Sequence, residues 1–247
     1  MKAIILAAGR GSRLQAYTDD KPKCLNKVGE KTIIEWQISV LNSCGVDNVT
    51  LVVGYRSEML KKYGNESILN PKWEKTNMVR SLLCANKAFD QPLIITYSDI
   101  LYNKKAVLQL MEESKDAVVA YDLNWKSLWQ ARYANPLDDI ESFRIGNDRR
   151  INAIGQKVTS IEEVEGQYIG LMRFSPLALR WIEEFTRSLD KDKLDKMDMT
   201  SLLQHLIWLG YPVYGTPIRG GWCEIDRISD LLLASKLHKE GLLNFSI

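Results

Sequence analysis

The chain has 247 residues, 45% of them hydrophobic, with 33 basic against 31 acidic side chains and a formal net charge of +2. That size fits one large α/β domain, and a charge so near balance argues against a nucleic-acid surface. No apolar run approaches the roughly 18 residues needed to cross a bilayer, and the N-terminus opens on a strand-like run rather than a cleavable leader, so a cytoplasmic protein without a membrane partner is expected.

Four cysteines, Cys24, Cys44, Cys84 and Cys223, stand far apart with no C-x-x-C, which points to reduced, mostly buried thiols. His205 and His238 lie in separate helical stretches, which disfavours zinc and a catalytic triad.

Residues 2–7 form a short apolar run suited to a buried strand, and it breaks at once into Leu6-Ala7-Ala8-Gly9-Arg10-Gly11-Ser12-Arg13-Leu14. Gly9 and Gly11 let the backbone approach a ligand closely, successive N–H groups can turn toward anionic oxygens, and Arg10 and Arg13 supply charge-assisted bonds. Lys21-Pro22-Lys23 returns two more cations. The segment lacks the third glycine of G-x-G-x-x-G and the Gly-Lys-Ser/Thr of a Walker loop. A strand followed by a glycine turn is common in α/β proteins, but the whole string L-A-A-G-x-G-x-R-L followed by K-P-K resembles the signature of nucleotidyltransferases that join a nucleoside monophosphate to a phosphorylated sugar or alcohol.

Residues 32–44 carry helix-spaced apolar side chains with Gly45 as a stop, and the β-branched run at 49–53 completes a first βαβ unit. A short helix at 58–63, a brief strand at 67–69, a helix at 78–88, a strand at 93–97, a helix at 104–114 and a strand at 117–121 continue the alternation. It implies a three-layer, doubly wound, mostly parallel Rossmann-like sheet. In such sheets ligands sit beyond the carboxyl ends of the strands, so the opening loop and Ser98-Asp99 share one rim.

From residue 123 the rhythm changes: Trp125, Trp129, Arg132, Tyr133, Asp138, Asp139 and Glu141 crowd together, with Asn135-Pro136 as a turn signal. Residues 143–145 and 150–154 around Gly146-Asn147-Asp148 predict a β-hairpin, an antiparallel insertion joining the sheet. A strand at 168–174, amphipathic helices at 176–189 and 199–209 separated by a solvated charged loop at 190–198, a strand at 213–217 and a last helix capped by Ser229 or Asp230 follow. A single domain over 1–247 is expected, with a nucleotide-binding half at 1–122 and an acceptor-binding half at 123–247.

Nucleotidyl transfer gathers negative charge on three phosphates, and a divalent cation, Mg2+, is the usual remedy; it takes few protein carboxylates and keeps waters. Asp99, after a strand, and Glu224 with Asp226, one residue apart and on one face if extended, are the candidate ligands, although Asp99 and Asp226 would also serve as helix caps. Arg13 and Lys23 would neutralise the triphosphate and incoming phosphoryl group as charge builds. Thr76, Asn77 and Ser81, at a helix entrance, suit base or ribose contacts or plain N-capping.

Beyond the opening signature, N-P-x-W-E-x-T-N-x-x-x-S-L, Y-S-D-I, W-x-x-L-W-x-x-R-x-x-N-P-L-x-D-x-E-S-F, I-G-x-K-V, G-Q-Y-I-G-L and E-I-D are similar to cytidylyltransferases that activate phosphonates and phosphocholine, above all 2-aminoethylphosphonate cytidylyltransferases. The resemblance spans residues 1–231. It implies transfer of CMP from CTP to a phosphonate with release of pyrophosphate, the nucleotide lying along Leu6, Ala7, Ala8, Gly9, Gly11 and Ser12. It further implies Arg13 on the triphosphate, Lys23 on the reacting phosphoryl groups, Mg2+ on Asp99 and Asp226, and Lys157 near the acceptor or α-phosphate. Two departures, Ser98 for a common glycine and Cys24 for a common proline, remove no charge the chemistry needs. For the acceptor, Arg132 is the candidate for the phosphonate dianion, Asp138, Asp139 or Glu141 for an ammonium, and Trp125, Trp129 and Tyr168 for pocket walls, at least two of the three aromatics being core instead. Phosphocholine and hydroxymethylphosphonate stand as alternative acceptors, a catalytically silent nucleotide-binding subunit as an alternative role, and a homodimer stays open.

Overall fold

The computed structural model describes residues 1–243. In chain order it contains β1 (Lys2–Ala7), β2 (Lys27–Val28), β3 (Lys31–Thr32), α1 (Ile33–Ser43), β4 (Asn48–Val53), β5 (Glu66–Leu69), α2 (Met78–Cys84), β6 (Leu93–Tyr97), β7 (Ile100–Tyr102), α3 (Lys104–Glu112) and β8 (Ala117–Asp122). The second half adds α4 (Trp125–Arg132), β9 (Glu141–Ile145), β10 (Ile151–Lys157), β11 (Gln167–Phe174), α5 (Pro176–Arg187), α6 (Lys191–Lys196), α7 (Met199–Trp208), β12 (Val213–Ile218), β13 (Trp222–Glu224) and α8 (Ile228–Lys239).

Seven strands form one sheet in the order β12-β8-β11-β6-β1-β4-β5, flanked by helices. β1 lies between β4 and β6, parallel to both, and its residues from Ala3 to Ala7 are buried, which is why the first apolar run alternates with nothing polar. The antiparallel member is β11, between β6 and β8. The expected hairpin forms, as β9 with β10, but it does not join this sheet: it makes a separate two-stranded ribbon, tied to β12 by one bridge between Arg150 and Tyr214.

Local chemistry explains most boundaries. Thr32 and Glu35 make a reciprocal capping box that starts α1, and Gly45, at φ +77°, ends it. Two expectations change, and a stretch given no element from the sequence proves helical. The crowded aromatic stretch is helical, as α4, because Trp125, Trp129 and Arg132 share its buried face. The charged segment at 190–198 is no loop: Asp190 caps α6 and Leu194 is buried. Finally α8 is capped by Arg227 rather than by Ser229 or Asp230, with Asp230 at its third position accepting hydrogen bonds from the Asp226 and Arg227 N–H groups, at 3.0 and 2.9 Å.

All four cysteines are free; Cys24 and Cys223 are buried and the other two partly so. Among the described residues no helix is long and apolar enough to cross a membrane.

Candidate active site

Parallel pairing puts the ends of β1, β4 and β6 on one rim. There the turn after β1 is pinned: the Tyr55 N–H donates to the Ala8 carbonyl at 2.9 Å, and a Cβ at Gly54 would lie 2.6 Å from that carbonyl oxygen, so only glycine allows this approach. Leu6, Ala7 and Ala8 are buried, whereas Gly9 and Ser12 are exposed. Gly11 has φ +71°, and a Cβ on it would sit 2.7 Å from both Cβ and Cε of Lys23. The Lys23 stem therefore runs under the loop. Asn26 fixes its backbone by donating to the Lys23 carbonyl at 2.9 Å.

Asp99 follows β6 in a turn clamped from behind. The buried Gln37 of α1 donates from Nε2 to the Tyr97 and Ile100 carbonyls, each at 2.7 Å. β7 then pairs with β13, Ile100 opposite Glu224, and the Ile225 N–H donates to the Asp99 carbonyl at 2.9 Å. This pairing carries Asp226 to Asp99 across 127 residues of chain, from position 99 to 226.

Lys23 joins them. Its Nζ donates to Asp99 Oδ2 at 2.8 Å and to Asp226 Oδ1 at 2.9 Å, and its side chain is only 8% exposed. Burial works against the ammonium, but the two carboxylates outweigh it and raise the pKa above the ordinary lysine range. Arg13 Nη2 reaches the same Asp226 oxygen at 2.8 Å from the solvent side, with 64% of its side chain exposed. Against its own burial, Asp226 is held below the usual carboxylate range by Lys23 and Arg13.

Behind Asp226 lies Arg132, and here the acceptor role expected from the sequence is corrected. Its side chain is fully buried and paired with Glu224 Oε2 at 2.9 Å, Asp226 Oδ2 at 3.5 Å and Asp230 Oδ1 at 3.2 Å. A guanidinium so enclosed has no face for an acceptor; it braces the carboxylates. Glu224 is correspondingly committed to Arg132, and burial followed by the Asp226 charge pushes its carboxyl up.

The arrangement fits a hard divalent cation on two carboxylates. Asp99 Oδ1 is buried with no hydrogen-bond partner among the described residues, and Asp226 stands on the other side of the Lys23 ammonium. No three His, Cys, Asp or Glu side chains among the described residues form a metal cluster, so Glu224 does not complete a protein cage. Two carboxylates, with phosphate oxygens and waters, are what Mg2+ ordinarily uses.

Next to this cluster a cavity of about 230 Å³ is lined by Arg13, Tyr97, Glu141, Tyr168, Asp198 and Asp226 among others. A register shift in β11 around Gly170, at φ +78°, seats the Tyr97 ring: a Cβ there would lie 2.6 Å from Cδ2. Tyr97 and Tyr168 then meet edge to face at 5.9 Å. Asp139 and Glu141 line the same cavity; Glu141 stays exposed as a residue on β9, and partial desolvation of its carboxyl, then the charges of Asp198 and Asp139, push it up to about 7.

Several other expected residues have structural roles beside or away from this cavity. Trp125 and Trp129 are core, at 2% and 1% exposure, although Trp129 also lines the cavity, as expected of it. Asn77 caps α2 through the Met78 N–H at 2.8 Å, while Thr76 and Ser81 both accept from Asn70 Nδ2 at 3.0 Å. All three thus have structural duties at the helix entrance. Lys157 is exposed on β10, opposite Glu141. Asp138 is exposed and bonded to Asn135 Nδ2 at 3.1 Å. Sequence reasoning missed Asp198, Tyr97 and the bracing by Asp230. Asp198 caps α7 through the Ser201 N–H at 2.7 Å, a role that hid its second position in the cavity wall.

A doubly wound sheet whose rim joins a glycine turn, two cations and two strand-end carboxylates is the framework of a nucleotidyltransferase. The chain belongs to the family of MobA-like NTP transferase domains, whose model matches residues 3–157. It is 40% identical over 248 residues to a CTP:phosphoglutamine cytidylyltransferase of Campylobacter jejuni, spanning 94% of this chain and 98% of that one. It is 36% identical over 106 residues to a choline-phosphate cytidylyltransferase of Streptococcus pneumoniae, 41% of this chain and 46% of the relative. The solved CTP:phosphocholine cytidylyltransferase of Streptococcus pneumoniae shares the fold, with a TM-score of 0.71 at 22% identity over 96% of this chain and 98% of that one.

Proposed function

We propose that this enzyme is a divalent-cation-dependent, single-domain cytidylyltransferase of the cytoplasm, moving CMP from CTP to a small acceptor that carries a phosphoryl or phosphonyl group and a cationic nitrogen. The observation that carries the catalytic part is the Lys23 ammonium held between Asp99 and Asp226, with Arg13 on the latter.

In this reading an anionic acceptor oxygen attacks the α-phosphorus of CTP, the bond to the β-phosphate oxygen breaks, and pyrophosphate leaves. The attacking oxygen is already ionised near neutral pH, so no general base is required. A magnesium ion on Asp99 and Asp226 would supply charge neutralisation between α-phosphate and pyrophosphate. Ala7, Ala8 and Gly9 present backbone to the nucleotide, Arg13 reaches the triphosphate from its exposed position, and Lys23 meets charge building on the phosphoryl oxygens.

The acceptor half rests on the cavity. Asp139, Glu141 and Asp198 make its wall acidic, and the tyrosine faces add an attraction for ammonium. The relatives act, by their names, on phosphoglutamine and choline phosphate, both of which bear a cationic nitrogen. Because the phosphoglutamine relative matches over nearly the whole chain, a phosphorylated glutamine displaces 2-aminoethylphosphonate as the first acceptor to assay. The test is pyrophosphate yield with phosphoglutamine, 2-aminoethylphosphonate, phosphocholine, hydroxymethylphosphonate and glucose 1-phosphate, each against all four nucleotides. Turnover confined to CTP and amine-bearing acceptors is expected; preference for glucose 1-phosphate or for UTP would overturn the reading.

A further inference from the structure

Resting on that reading of the metal, we propose that in the nucleotide-free enzyme the Lys23 ammonium occupies the divalent-cation position between Asp99 and Asp226, so that metal binds with CTP and not ahead of it.

The geometry is that of a bound cation. Nζ lies 2.8 Å from Asp99 Oδ2 and 2.9 Å from Asp226 Oδ1, in a side chain sequestered from solvent. Asp226 is already engaged by cations on both oxygens: Lys23 and Arg13 share its Oδ1, and Arg132 faces its Oδ2 at 3.5 Å. What remains for an incoming ion is Asp99 Oδ1, the buried oxygen without a hydrogen-bond partner.

A dication approaching that oxygen alone meets an ammonium a few ångströms away, with no new anion to receive it. A dication arriving as its CTP complex brings the triphosphate charge, which offers Lys23 and Arg13 new partners and frees both carboxylates. Lys23 is placed for this exchange, because its stem lies against the Gly11 turn, the segment that the proposed function assigns to the nucleotide. One residue thus serves in turn as a placeholder on the carboxylates and as a contact to the reacting phosphates.

Mn2+ binding to the full chain, followed by electron paramagnetic resonance without nucleotide, tests the proposal on wild type, Lys23→Met and Lys23→Arg. Because like-charge juxtaposition is costly, Lys23→Met should bind Mn2+ about tenfold or more tightly than wild type, while Lys23→Arg stays as weak as wild type. With CTP present but no acceptor, wild type should bind Mn2+ at least as tightly as Lys23→Met. Equal or weaker nucleotide-free binding by a folded Lys23→Met overturns the placeholder. Should Lys23→Met unfold, Lys23→Gln, which also removes the charge, takes its place: nucleotide-free Mn2+ binding no tighter than wild type refutes the proposal, and tighter binding supports it. Pyrophosphate release by the same wild-type preparation tests the function separately, so the two readings fail independently.

Discussion

Replacing Arg132 by Met discriminates between a bracing guanidinium and an acceptor ligand. The side chain is fully buried and faces Glu224, Asp226 and Asp230 at 2.9, 3.5 and 3.2 Å, so its removal leaves Glu224 without an ion-pair partner among the described residues and takes a shared cation from Asp226 and Asp230. Removing one partner of a buried ion pair costs about 3–5 kcal/mol, because the charge left behind is uncompensated. For a chain of this size each kcal/mol lowers Tm by roughly 2–4 °C, so a fall of about 6–20 °C is expected. The loss of the contact to Asp226 should also lower kcat more than it raises acceptor KM. Thermal and urea unfolding of Arg132→Met, with a double-mutant cycle against Asp230→Asn, measures this; coupling of about 1 kcal/mol or more is expected for groups in one network. A variant of near-native Tm with only acceptor KM raised would refute the reasoning and restore the contact expected from sequence.

Asp99→Asn should keep the fold, since the residue is partly exposed at a turn held by Gln37, yet abolish turnover; near-normal rates would defeat the metal assignment. Gly11→Ala forces φ +71° on a residue with a Cβ and drives that atom against Lys23, so a stability cost of about 1–2 kcal/mol with a larger loss of turnover is expected, and unchanged kcat would count against the loop geometry. The Glu141 carboxyl, raised to about 7, is neutral below that pH and ionised above it, so KM for an amine-bearing acceptor should fall as pH rises through 7. Glu141→Gln should flatten that slope; a wild-type KM independent of pH would remove Glu141 from the site. The same raised value makes the native state bind the extra proton, so this group's contribution to stability declines as pH rises from its ordinary range toward 7.

The strands at 2–7, 49–53, 93–97 and 117–121 were legible because a strand buried on both faces must be continuously apolar, a pattern carried by neighbouring residues alone. The 32–44 helix was legible from its spacing and its glycine stop. The hairpin's separation from the sheet was not, because its contact with the sheet is a bridge to the edge strand β12, about sixty residues further on, between Arg150 and Tyr214. Helix α4 was missed since its tryptophans have weak helical preference and gain their burial from β13 and α8, distant in sequence.

The amino-acid order by itself determined the alternation of strands and helices up to residue 121 and the glycine turn with its basic side chains, since backbone sterics and local periodicity need no partner from elsewhere. Only the tertiary structure decided what each charge faces. Arg13, Lys23 and Arg132 are all single basic residues in the sequence, yet one projects into solvent, one bridges two strand ends and one is sealed behind them. That difference arises from β7 pairing with β13 and from Asp230 closing over Arg132, contacts made across about a hundred residues or more, and electrostatic partnership at such separation leaves no local mark on the chain.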